Sequence, residues 1–62
     1  MSKLEKKMLE NPDFECLKHY IERGMMGLME AAKAVTDLYY KGYFAYDEAE
    51  TAIRLLSKVK VH

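Results

Sequence analysis

The chain has 62 residues, half of them hydrophobic, and its ten basic and ten acidic side chains leave it formally neutral. A domain of this size hides only about 60% of the surface its unfolded chain exposes, too little to wall off a water-free reaction pocket, so help from a staple, a metal or a second subunit is expected. Neutrality removes the broad positive field on which nucleic-acid binders depend, and no apolar run approaches the roughly 20 residues of a membrane span.

Ser2 and Glu5 open the chain at capping-box spacing and predict a short helix from about Lys3 to Glu10, with Leu4 and Met8 on one side. The sequence "ENPDFE" stops that helix, because Pro12 disfavours helical geometry at Asn11 and has no amide to donate. It also restarts one, with Asn11 as N-cap, Pro12 at the first position and Asp13 near the positive end of the dipole. The second helix is expected over 12–23, ending at Gly24, with Phe14, Leu17 and Ile21 inward and Tyr20 beside them.

The third helix is expected over 25–41 and is closed by Gly42. Glu30, Lys33, Asp37 and Lys41 fall on one narrow polar strip, and nearly every other position is apolar or small. Gly27, Ala31, Ala34 and Leu38 make one flank, Leu28, Ala32, Val35 and Tyr39 the centre, and Met25, Met29, Thr36 and Tyr40 the far flank. A helix apolar on so many sides belongs in the middle of a bundle or in a subunit interface, and the flank of Gly27, Ala31, Ala34 and Leu38 is the expected homodimer contact.

The fourth helix is expected over 48–58, with Asp47 as N-cap and Glu50 reaching back to it. Its inward stripe is Ala49, Ala52, Ile53 and Leu56, with Val59 beyond, and 59–62 reads as a frayed tail. This stripe repeats the third helix: "EAAKAVTDL" from Glu30 returns eighteen residues later as "EAETAIRLL" from Glu48. Alanines facing alanines let two backbones approach closely, so the echo reads as the packing code of an antiparallel helical hairpin and implies no chemistry.

Chemistry-bearing residues are sparse. Glu15, Cys16 and His19 share one helix, but a structural zinc site needs four ligands, and a lone cysteine behaves most often as a small hydrophobe. The chain has no glycine-rich phosphate loop, nucleophile elbow or HExxH. It is therefore expected to be non-enzymatic, without metal or cofactor. A single cysteine and the lack of a signal-peptide pattern fit a cytoplasmic protein.

Two stretches suggest contact surfaces. "GMMGLM" gathers Met25, Met26 and Met29, flexible side chains that serve in cores and in adaptable interfaces alike. "LYYKGYFAY" packs Tyr39, Tyr40, Tyr43, Phe44 and Tyr46 about one turn, and tyrosine is enriched at binding hot spots. Met25, Met29, Tyr40, Tyr43, Phe44 and Tyr46 are accordingly the expected protein-binding residues. A helix-turn-helix reading, as a dimeric DNA-binding regulator, is the alternative. It suffers from Asp47, Glu48 and Glu50 at the start of the recognition helix, where they would repel phosphate.

The stretch "LYYKGYFAYDEAE" resembles the short bacterial helical hairpin called SHOCT at Lys41-Gly42, Phe44 and Asp47-Glu48. It departs from that pattern at Ala45, where the capping Ser or Thr would stand, and at Ala49, where an aromatic is usual. The resemblance implies only an oligomerising or interaction element. The expected protein is thus a single all-α domain of three main helices with a short N-terminal helical extension over 1–10. It is expected to act as a homodimeric regulatory or inhibitory module on a larger protein.

Overall fold

In the computed structural model, which describes residues 2–61, the chain forms four α-helices and, among the described residues, no strand. They are α1 (Lys3–Leu9), α2 (Pro12–Glu22), α3 (Leu28–Tyr40) and α4 (Tyr46–Leu56). Where each begins is set by which acceptors its first amides find. At α1 the Glu5 amide donates to Ser2 Oγ and the Ser2 amide to Glu5 Oε1, both at 3.1 Å. The hydrogen bond from the Ser2 backbone, then that from its hydroxyl, favours the ionised carboxylate and holds Glu5 below its ordinary pKa. At α2 Asn11 Oδ1 accepts from the amides of Asp13 and Phe14, at 2.9 and 3.2 Å.

The other two helices start away from their expected positions. α3 begins at Leu28 and not at 25, because Gly27 is its extended N-cap and Met25 and Met26 lie in the bend before it. α4 begins at Tyr46 and not at 48, with Ala45 as N-cap in place of Asp47. Glu30 Oε1 accepts from the Gly27 amide at 3.3 Å, and Glu48 Oε1 accepts from the Ala45 amide at 2.9 Å. Gly and Ala offer no side-chain acceptor, so each helix makes only the glutamate half of a capping box. Asp47 instead accepts from the Glu48 amide at 2.9 Å.

α2 and α3 end alike. Gly24 and Gly42 take left-handed backbone, at φ 72° and 86°, where a side chain is strained. Gly24 and Met25 donate to the carbonyls of Ile21 and Tyr20, at 3.0 and 2.9 Å; Gly42 and Tyr43 donate to those of Tyr39 and Leu38, at 3.1 and 2.9 Å. Both pairs are Schellman closures. α4 stops at Leu56, short of 58, and two turns follow, in which Lys58 and Val59 donate to the carbonyls of Leu55 and Leu56. Val59 packs on the core, and the Val61 side chain passes Gly24; His62 lies outside the described residues.

The core draws on all four helices and the turn before α4: Met8 from α1, Phe14, Leu17 and Ile21 from α2, Ala31 and Val35 from α3, Phe44, and Ala49, Ala52 and Leu56 from α4. α3 and α4 pack closely on each other, and α1 packs chiefly against α4. Met8 is 2% exposed, so α1 is a working part of the core and not merely a leading extension. Thr51 is buried as well. Lys7 Nζ lies 3.8 Å from Glu48 Oε2, joining α1 to the first turn of α4. The repeated positions divide into two jobs: Glu30 and Glu48 start their helices, while Ala31, Val35, Ala49, Ala52 and Leu56 are buried. Ala34, Leu38 and Ile53 pack at the margin of that core.

Candidate interaction surface

Because Ala31 and Val35 point into the core, the side of α3 about 100° round from Val35 points outward, and it carries Met29, Thr36 and Tyr40. Met29 is 84% exposed and Tyr40 78%. The Gly42 closure continues this surface. It turns Tyr43 outward, and the start of α4 at Ala45 leaves Tyr46 outward too, each 68% exposed. Met25, in the bend before α3, is also exposed.

Between α3 and α4 this surface dips into an open groove of about 280 Å³, walled by Tyr39, Tyr40 and Tyr46 and floored by Thr36, Ala49 and Ile53, with Glu50 at its edge. Tyr39 is the hub of the rings, with its centroid 5.4 Å from that of Tyr40 and 5.9 Å from that of Tyr46, the latter at an edge-on 76°. Edge-on and tilted rings at this spacing attract one another and stiffen the wall. The Thr36 hydroxyl donates to the Ala32 carbonyl at 2.9 Å, which satisfies it within its own helix. The groove thus offers aromatic and aliphatic contact with a single carboxylate. Apart from Glu50, the polar groups that line it are the tyrosine and threonine hydroxyls.

Not every residue expected at a surface is placed there. Phe44 is 3% exposed: its amide donates to the Leu38 carbonyl at 3.3 Å, and its ring joins the core. The flank of Gly27, Ala31, Ala34 and Leu38 does not form one open face. Gly27 is the N-cap ahead of α3, Ala31 is fully enclosed by its own chain, and Ala34 and Leu38 are half-buried. Those two line a second, shallower depression with Asp13, Cys16 and Leu17 of α2 and with Asp37 and Lys41.

Cys16 is exposed. His19 lies between two carboxylates, with Nε2 3.3 Å from Glu15 and Nδ1 3.2 Å from Glu22, so both ring nitrogens face acids of their own helix. Among the described residues no cluster of His, Cys, Asp and Glu could hold a metal ion. The groove itself and the central place of Tyr39 were not anticipated, although Tyr39, Tyr40 and Tyr46 were all in the aromatic stretch. The signal for them was the echoed Glu48, which fixes Ala45 as N-cap and so carries Tyr46 into α4.

No family model, curated protein or solved structure matches the chain. No helix among the described residues is long and apolar enough to cross a membrane.

Proposed function

We propose that this protein is a non-catalytic binding module that regulates or inhibits a larger protein by docking on it, and that it acts as a homodimer. In this reading α3 and α4, joined by the short turn over 41–45, form an antiparallel hairpin that presents the contact surface. The observation that carries it is the exposure of Met29, Tyr40, Tyr43 and Tyr46 together, on a chain whose core is filled without them. A monomeric domain seldom exposes so many large side chains along one helix and the turn that follows it unless they meet a partner. Tyrosines and methionines give stiff and adaptable contact area respectively, at low entropic cost for the rings.

The test is to immobilise the wild-type chain and a Tyr43→Ala/Tyr46→Ala variant, recover bound material from a lysate of the source cells, and titrate the recovered partner against both. Hot-spot tyrosines contribute on the order of 2 kcal/mol or more each, so the variant should bind at least about tenfold more weakly with an unchanged circular dichroism spectrum. Binding should hardly respond to salt. Equal capture by the variant would count against the reading, and recovery of nucleic acid with steep salt dependence would favour a DNA-binding role instead.

A further inference from the structure

The outer stripe of α3 has a property that its exposure alone does not explain. It is bordered by Lys33 and Asp37, one turn apart on the same helix, and neither makes an ion pair among the described residues. Along α3, positions 29 and 40 and positions 33 and 37 are both centred close to residue 35. A helix laid antiparallel on its own copy about a two-fold axis at that point places Met29 of one copy on Tyr40 of the other, twice. The same register puts Lys33 of each copy opposite Asp37 of its partner on one margin, twice, with the small Thr36 at the crossing point. An isologous contact requires just this self-complementarity.

From this charge complementarity we infer that the occupant of the Met29, Thr36 and Tyr40 stripe is a second copy of this chain, paired through α3 in antiparallel two-fold register. The inference rests on the homodimeric reading above and names its surface, replacing the flank that contains the enclosed Ala31. On the opposite margin the groove between α3 and α4 brings the exposed Glu50 of each copy. The contact pairs methionine sulfur with an aromatic ring, a favourable contact, and leaves Tyr43 free for a different protein. A standard interface covers about 800 Å² per partner, while α3 is only about 20 Å long and 10 Å wide. The contact is therefore small and the dimer weak.

Charge reversal tests the register. Sedimentation equilibrium would be run on the wild type, on Lys33→Asp, on Asp37→Lys, on the double swap and on an equimolar mixture of the two single variants, with folding checked by circular dichroism. Each single variant sets like charges opposite each other and should dimerise at least about tenfold more weakly. The double swap and the mixture restore opposite pairs and should regain the wild-type constant. A dimer unaffected by either single reversal overturns this surface while leaving the homodimeric reading intact. A wild type that stays monomeric at every concentration overturns both, and the partner-binding test above then stands by itself.

Discussion

The Glu48 carboxylate reaches two helices: one oxygen accepts from the Ala45 amide at 2.9 Å and starts α4, and the other lies 3.8 Å from Lys7 of α1. The two roles differ in strength. A cap is worth about 1 kcal/mol, and an exposed ion pair, here with Lys7 largely in water, contributes less than that. Glutamine keeps an acceptor oxygen for the amide and loses the charge, whereas alanine loses both. Urea unfolding should therefore show Glu48→Ala destabilised by roughly 1 to 2 kcal/mol and Glu48→Gln by less than about 1 kcal/mol. Equal losses would mean that the ion pair, and not the cap, carries the effect. At Gly42 the demand is purely conformational: a side chain there would meet open space, yet φ of 86° is strained for any residue with a Cβ.

Among the elements, α1 departs furthest from its reading as an extension. Its seven residues cannot be stable in isolation, so its helix exists by virtue of the Met8 side chain entering the core and the packing of α1 on α4. Truncating a buried methionine to alanine costs about 2 to 5 kcal/mol, against a total of roughly 3 to 9 kcal/mol expected for a chain of this length. Met8→Ala should consequently lose most of its stability in a denaturant titration. A change below about 0.5 kcal/mol would return α1 to the status of an extension. The difference shows what was legible. Capping chemistry at Ser2 and Asn11, and glycines at 24 and 42, announced the two starts and two ends they govern, because those signals are local. The start of α4 falls two residues before the expected one because two carboxylates, Glu48 and Glu50, each stood at a capping distance from a possible N-cap, and it is Glu48 that bonds back, to the Ala45 amide. Phe44 stands in the turn before α4, where helical period ranks nothing, and a ring there could equally plug the end of the hairpin or face a partner; for Ala31 the period marks an apolar side but not which neighbour covers it.

At the scale of the molecule, the four helices close one core and leave Met29 and Tyr40 on the outer side of α3, beside a tyrosine-walled groove. Small chains gain little stability from burial, so a surface that exposes this much apolar area is most economically explained by contact with another chain. The sequence pattern had already marked α3 as too apolar for one neighbour; which of its sides was left over depended on where α2 and α4 pack. The most direct test of the account is sedimentation equilibrium of the wild-type chain over a concentration series, beside Tyr40→Ala. The account predicts a reversible monomer–dimer equilibrium whose dimer is weakened at least about tenfold in Tyr40→Ala, a hot-spot-sized loss, while both chains keep the same helix content. A single monomeric mass throughout, or a dimer indifferent to the loss of Tyr40, would contradict it.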